Sequence, residues 1–134
     1  MLTDARGAAS LPAQDLDRAR AFYRDKLGLE PADERPGGIL YRLQNCEFAL
    51  FQSSGASPGT FTQFGFEVDD IEAVVGELRR RGVVFEEVDV PGLQTVDGIA
   101  EVEGNYPIKH SVGERAAWFR DCEGNLLGVG QRLP

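Results

Sequence analysis

The chain has 134 residues, of which 42 % are hydrophobic and 27 % charged, and 14 Lys and Arg against 22 Asp and Glu give it a formal net charge of −8. This length suits one domain, or two small modules that share one core, and the composition is that of a soluble globular protein. The acidic balance argues against binding to nucleic acid or to anionic membranes, because both interactions draw their affinity from Lys and Arg.

The first half of the chain predicts a strand, a capped helix and three further strands. Residues 8–13 predict the first strand. Apolar residues at helical spacing predict a helix over 16–27, which Asp15 caps and Gly28 ends. Segments 29–30, 39–43 and 47–51 predict the remaining strands, with turn signals at 36–38 and 44–46.

The second half repeats this order. Residues 63–68 predict a strand that leads into a helix over 71–81, capped by Asp70 and ended by Gly82. Strands are expected at 83–86, 116–120 and 126–129. We therefore interpret residues 1–134 as one domain of two βαβββ modules, at about 8–53 and 62–132, joined by a linker at 54–60.

Four segments carry a resemblance to a known family, and together with the repeat they extend over nearly the whole chain. They are residues 11–23, 27–29, 65–71 and 118–127, and the last is similar to the family hairpin F-x-D-P-D-G-N, with Cys122 where proline is common. The sequence resembles the vicinal oxygen chelate superfamily of glyoxalase-type lyases, bleomycin-resistance proteins and extradiol dioxygenases. The resemblance implies an α+β, glyoxalase-like fold, whose two sheets curl around a central cavity with the helices outside.

The resemblance also implies which positions would carry metal ligands, and this chain has different residue types at those positions. A family His commonly stands seven residues before each helix-capping Asp, which here are the positions of Ala8 and Gln63. The final-strand Glu corresponds to Gly128, and in the first module to Ala49, or to Gln52 if the register shifts. Because a catalytic metal needs about three protein donors, we expect no metal and no cofactor.

Strand alternation identifies the side chains that would face the cavity. Apolar Phe64 and Phe66 should meet the helix, which turns Gln63 and Glu67 to the cavity. The same parity brings Phe51, Trp118 and Arg120 to that side, giving an aromatic lining with a few polar groups, as in small-molecule pockets. The alternative is an ordinary core Trp118 and a structural ion pair between Glu67 and Arg120.

The segment 91–115 has no clear periodicity, apart from turn signals at 91–92 and 95–98. Long irregular segments are often functional, so it is a candidate lid in which Tyr106 and His110 bind the ligand. His110 is the only histidine, and its ordinary pKa would suit a general base. The alternative is a solvated loop histidine.

Three functions remain open from the sequence. The favoured hypothesis is a metal-free protein that sequesters an unidentified small molecule, in which an acidic surface would suit a cationic ligand. The second is a glyoxalase-type lyase or isomerase, or a dioxygenase, with an altered metal set such as Gln63, Glu67 and His110. The third is a structural or interaction module whose cavity is filled by side chains. The resemblance further implies a homodimer.

The expected compartment is the cytoplasm. No stretch approaches the ~18 consecutive apolar residues of a membrane span, and the N-terminal residues show no secretory signal. Cys46 and Cys122 lie 76 positions apart without a partner motif, so we expect two reduced thiols.

Overall fold

The structure is a computed structural model and describes residues 1–104 and 111–134. It is a mixed α+β fold with helices α1 (Leu16–Leu27) and α2 (Ile71–Arg80), and a short 3-10 helix at Leu2–Asp4. No helix in this described part is long and apolar enough to cross a membrane. Its strands are β1 (Ala9–Ala13), β2 (Asp33–Arg35), β3 (Gly38–Arg42), β4 (Glu47–Gln52), β5 (Phe64–Glu67), β6 (Asp89–Val90), β7 (Leu93–Gln94), β8 (Ala100–Glu103), β9 (Gly113–Arg120) and β10 (Leu126–Arg132).

The chain divides into two compact units. Unit 1 comprises Met1–Pro58 and Cys122–Asn125, and unit 2 comprises Gly59–Asp121 and Leu126–Pro134. The sheet of unit 1 has the order β1-β4-β3-β2, and that of unit 2 the order β5-β10-β9-β8. Strand β1 is parallel to β4, and β5 is parallel to β10. The other neighbouring strands of both sheets are antiparallel. The α+β class that the resemblance implies is confirmed.

Both helices begin where the sequence predicts. The Asp15 carboxylate accepts a hydrogen bond from the Arg18 N–H at 3.0 Å, and Asp70 accepts one from the Ala73 N–H at 3.1 Å. Gly28 adopts a left-handed conformation with φ 69°, which ends α1 at Leu27. The second helix ends at Arg80, one residue earlier than predicted.

Each helix packs its apolar stripe on one face of its own sheet. In unit 1 the core includes a stack of Tyr23, Tyr41 and Phe48, with ring centroids 5.2–6.2 Å apart. In unit 2, Phe85 meets Phe119 edge to face at 5.6 Å. Further buried residues on these helix-facing sides are Leu11, Ala13, Leu16, Ala19, Ile39, Leu50, Ile71, Val75, Ala117, Leu127 and Val129.

The predictions of strands directly after the helices, at 29–30 and 83–86, are wrong. Leu29 donates its N–H to the Tyr23 carbonyl at 2.9 Å, and Val83 donates to the Leu78 carbonyl at 3.0 Å. These residues complete the ends of the helices, so they are not free for a sheet ladder. The strand in unit 1 starts only at Asp33, and segment 83–86 retains a single bridge between Phe85 and Phe119.

The described parts of segment 91–115, residues 91–104 and 111–115, contain strands that the sequence did not predict. The predicted turn at 91–92 joins β6 to β7, and a second tight turn lies between Val96 and Ile99, where Asp97 and Gly98 have φ of 54° and 81°. Strand β8 and the start of β9 also lie in this segment. Short strands of two to four residues carry too little alternation to be found from sequence. Tyr106 and His110 lie outside the described residues.

Candidate functional site

Four of the predicted ligand-binding residues share one face of the sheet in unit 2, the face opposite α2. The strand register aligns Gly65, Gly128 and Trp118 across three strands. One step along, Gln63 donates its N–H to the Leu126 carbonyl at 2.9 Å, and Leu126 pairs with Arg120. Glu67 is aligned with Gly130. Because side chains alternate along strands, Gln63, Glu67, Trp118 and Arg120 all project to this side.

The central feature of this face is the contact between Trp118 and Gly128. A Cβ placed on Gly128 would lie 3.5 Å from both Cδ1 and Nε1 of the indole, and 3.5 Å from Cγ2 of Thr62. The edge of the indole therefore lies beside Gly128, at ordinary van der Waals distance from where a side chain would begin. Trp118 as a whole is only partly buried. The indole occupies the space that a longer side chain would need, at the position where the resemblance places a metal-ligating glutamate.

The two charged residues of the face have separate partners. Glu67 forms an ion pair with Arg132 at 2.7 Å. Arg120 forms one with Glu86 and also donates to the Gly59 carbonyl at 2.8 Å. The alternative of a structural Glu67–Arg120 ion pair is therefore wrong. All four charged side chains are partly exposed, so their charges remain available to a ligand in solution.

The corresponding face of unit 1 carries Phe51. Its side chain is 42 % exposed and shares its side of β4 with Ala49. The register pairs Ala49 with Ser10 in β1, the same relation that Gly128 has to Gly65 in β5. Gln52 has the opposite parity, and its side-chain amide donates to the Gln14 carbonyl at 2.7 Å. The register thus places Ala49, and not Gln52, at the position equivalent to Gly128.

A buried carboxylate that sequence reasoning missed lies in unit 1. Glu123 accepts hydrogen bonds from the N–H groups of Gln14 and Asp15, at 2.6 and 3.3 Å, and from the Arg18 guanidinium at 2.6 Å. Burial raises the pKa of the Glu123 carboxyl, but the bonds from Arg18 and the two backbone N–H groups outweigh it and leave the pKa below its ordinary value. Asn125, also buried, donates to the Pro12 carbonyl at 3.0 Å. The hairpin motif within residues 118–127 contains both Glu123 and Asn125, so it is the sequence feature that could have indicated these buried polar contacts.

Comparison with known proteins decides the family. The sequence model of the Glyoxalase/Bleomycin resistance protein/Dioxygenase superfamily matches residues 6–129. The chain belongs to this superfamily. No curated protein sequence matches the chain significantly.

Several solved structures share this fold at low sequence identity. A glyoxalase/bleomycin resistance protein/dioxygenase from Alicyclobacillus acidocaldarius is 19 % identical, with a TM-score of 0.71 over 98 % of this chain and 93 % of that one. A lactoylglutathione lyase from Agrobacterium tumefaciens is 23 % identical, with a TM-score of 0.63 over 96 % and 93 % of the two chains. TnmS3, an antibiotic binding protein from Streptomyces sp. CB03234, is 20 % identical, with a TM-score of 0.62 over 96 % and 98 %.

The donor set of this superfamily member does not fit a divalent metal. Ala8, Ala49 and Gly128 carry no side-chain donor. The Gln63 Oε1 already accepts a hydrogen bond from the Leu126 N–H at 3.3 Å, and a neutral amide is a weak ligand. Among residues 1–104 and 111–134, no group of three or more His, Cys, Asp or Glu side chains could hold a metal ion. We therefore derive no chemistry through a metal.

Proposed function

We propose that this protein binds and sequesters a small molecule on the face that carries Trp118, without a metal and without transforming the ligand. The observation that carries the proposal is the packing of the Trp118 indole on Gly128. Where the resemblance places a metal-ligating carboxylate, the chain has a glycine with an aromatic ring beside it. An apolar or aromatic wall with a few convergent polar groups is typical of small-molecule sites.

The chemistry of this face favours a planar aromatic cation. The indole offers its π-face or edge to an aromatic ring, and such contacts contribute about 0.5–1.5 kcal/mol beyond area burial. The carboxylates of Glu67 and Glu86 on this side of the sheet are each ion-paired with an arginine, so the preference for a cation rests on the indole π-face and on the net charge of −8, which attracts cations at long range. TnmS3, which has this fold, is an antibiotic binding protein, and this similarity supports a binding role here.

The single tryptophan of the chain makes the proposal directly testable. Proflavine, a planar aromatic cation, should quench Trp118 fluorescence with a Kd on the order of 100 µM, whereas the aromatic anion ANS should bind more weakly. No quenching at proflavine concentrations up to about 1 mM would contradict the proposed ligand class.

Two variants test whether the ligand binds to the sheet face that carries Trp118. Trp118→Ala should weaken proflavine binding, measured by calorimetry, at least tenfold, and Glu67→Gln should weaken it severalfold by removing a carboxylate. Phe61→Ala is the matched control, because Phe61 is another exposed aromatic residue of unit 2 at 61 % exposure. Binding that survives Trp118→Ala but falls in Phe61→Ala would place the ligand elsewhere.

A lyase or isomerase with an altered metal set is the alternative. It assigns metal ligation to Gln63, Glu67 and His110, of which the first two are engaged with Leu126 and Arg132, and the third lies outside the described residues. Under this alternative, Glu67→Ala would abolish both metal uptake and turnover. Under the binding proposal, Glu67→Ala leaves metal content unchanged and affects only ligand affinity.

A further inference from the structure

A separate groove lies in unit 2 on the side of the sheet that carries α2, with a volume of about 620 Å³. Its walls are α2, the turn between β7 and β8, and the neighbouring parts of β8 and β9. The apolar part of the lining comprises Val75, Val96, Ile99 and Ala100. None of the residues assigned to the proposed ligand face lines this groove, so it is a second candidate site.

The sequence of α2 shapes one wall. Glu72, Val75, Gly76 and Arg79 recur at helical spacing and form one stripe along the helix, charged at both ends and small and apolar between them. A glycine inside a helix costs about 1 kcal/mol relative to alanine. A Cβ placed on Gly76 would meet no atom within 4 Å, so no packing requirement explains this glycine. The groove is therefore open at Gly76.

An ion pair lies at each end of the stripe. Arg115 pairs with Glu72 at 2.9 Å, and Arg79 pairs with Asp97 at 3.3 Å. At both ends the arginine is the more buried partner: Arg115 and Arg79 are 29 % and 37 % exposed, whereas Glu72 and Asp97 are 70 % and 86 % exposed. The carboxylates are therefore the partners that another anion can replace from solution.

Arg79 is held independently of the Asp97 carboxylate. Its Nη2 donates to the Asp97 carbonyl at 2.9 Å, and its guanidinium lies 5.5 Å from the centroid of the Phe85 ring. These two contacts remain when the carboxylate moves away. A guanidinium fixed in this way is preorganised for a bidentate bond to a carboxylate.

We propose that this groove binds a linear dicarboxylate with an aliphatic body. One carboxylate replaces Glu72 on Arg115, the other replaces Asp97 on Arg79, and the methylene chain lies over Val75 and Gly76. Positions 72 and 79 are about 10 Å apart along the helix axis, which suits a diacid of roughly suberate length.

The surrounding charge sets the selectivity of the groove. Glu101 also lines it, and the net charge of −8 opposes any anion at long range. Affinity must therefore come from direct pairing with both arginines and from the apolar floor. A monocarboxylate such as octanoate, which can pair with only one arginine, should bind at least tenfold more weakly than suberate.

The test is an NMR titration of the full chain with suberate. The expected Kd is on the order of 1 mM, with the largest amide shift changes at Gly76 and Ile99. Arg79→Gln and Arg115→Gln should each weaken binding at least tenfold, and Gly76→Phe should abolish it by filling the groove. The matched control is Arg80→Gln, which should change the Kd less than twofold because Arg80 pairs with Glu77 outside the groove.

Several outcomes would overturn the proposal. They are shift changes confined to other residues, equal loss of affinity in Arg80→Gln and Arg79→Gln, and tighter binding of 1,8-diaminooctane than of suberate. The last would mean that Glu72, Asp97 and Glu101 are the ligand-binding groups. The arginine variants keep the test decisive if Gly76→Phe fails to fold.

Discussion

The Tyr41 hydroxyl is buried without a hydrogen-bond partner among the described residues, although its ring packs against both Tyr23 and Phe48. Burial raises the pKa of this phenol to about 12. An unsatisfied buried hydroxyl costs about 1–3 kcal/mol, so Tyr41→Phe should keep the ring stack and raise the free energy of unfolding by roughly 1 kcal/mol. Urea denaturation measures this; a loss of stability would show that the hydroxyl has a partner.

Because of Glu123, the free energy of unfolding should depend on pH in the acidic range. Because folding lowers the pKa of its carboxyl, its contribution is present above the ordinary value of 4.5 and is lost as the pH falls through the lower folded value. At pH 7, Glu123→Gln should lower the free energy of unfolding by about 2 kcal/mol, since charged hydrogen bonds to Arg18 and two backbone N–H groups are weakened.

Thermal denaturation from pH 7 to pH 3 checks this linkage. The difference in Tm between the wild type and Glu123→Gln should shrink as the pH falls. Glu103→Gln, which changes an exposed glutamate on the edge strand β8, should remain close to the wild type at pH 7. A difference for Glu123→Gln that stays constant down to pH 3 would mean that the carboxylate charge contributes nothing.

Trp118 and Gly128 should behave as an energetically coupled pair. Gly128→Ala should be tolerated, because its Cβ would make ordinary contacts at 3.5 Å. Gly128→Glu restores the residue type that the family resemblance places here, but the longer side chain must displace the indole, at a cost of about 1–3 kcal/mol. In Trp118→Ala this cost should largely vanish. Denaturation of the two single variants and the double variant forms the cycle, and additive losses would contradict the contact.

At the scale of the element, two glycines of unit 2 should respond to alanine in opposite ways. Gly76→Ala should raise the free energy of unfolding by about 1 kcal/mol, because alanine favours the helix and its Cβ meets nothing within 4 Å. Gly98→Ala should lower it, because φ is +81° and the Cβ would lie 2.7 Å from the Arg79 Nη2. Urea denaturation of both variants tests this. Equal changes in the free energy of unfolding would contradict this expectation. They would mean either that other atoms already fill the space beside Gly76, or that the turn at Gly98 rearranges to accept a side chain.

The success of sequence reasoning varied with the kind of element. Both helices were predicted within one residue, because Asp15 and Asp70 provide side-chain caps and glycines follow the last turns. The hairpin strands were also found, since glycine and polar turns separate alternating runs. The strands placed directly after the helices were wrong, because Leu29 and Val83 bond back to their helices, a choice that composition does not reveal.

For the whole molecule, sequence alternation correctly predicted which side chains share one face of a sheet. It did not predict which residues form ion pairs with them. Alternation placed Gln63, Glu67, Trp118 and Arg120 on one side of one sheet, as the register has them. The ion pairs of Glu67 and Arg120 depend on Arg132 and Glu86, which are distant in sequence and fixed only by the sheet. The packing of Trp118 on Gly128 and the buried Glu123 likewise required three-dimensional contacts. Tyr106, His110, the homodimer and the cytoplasmic location stay predictions.

The central claim is that this superfamily member binds its ligand without a metal, and the metal content of the protein tests it most directly. Untagged protein is incubated separately with nickel, zinc, manganese and iron, desalted and measured by elemental mass spectrometry. Because the ligand positions hold Ala8, Ala49, Gln63 and Gly128, we expect less than about a tenth of a metal ion per chain. A content near one metal ion per chain, lost in Glu67→Ala, would contradict the account and favour a lyase, isomerase or dioxygenase.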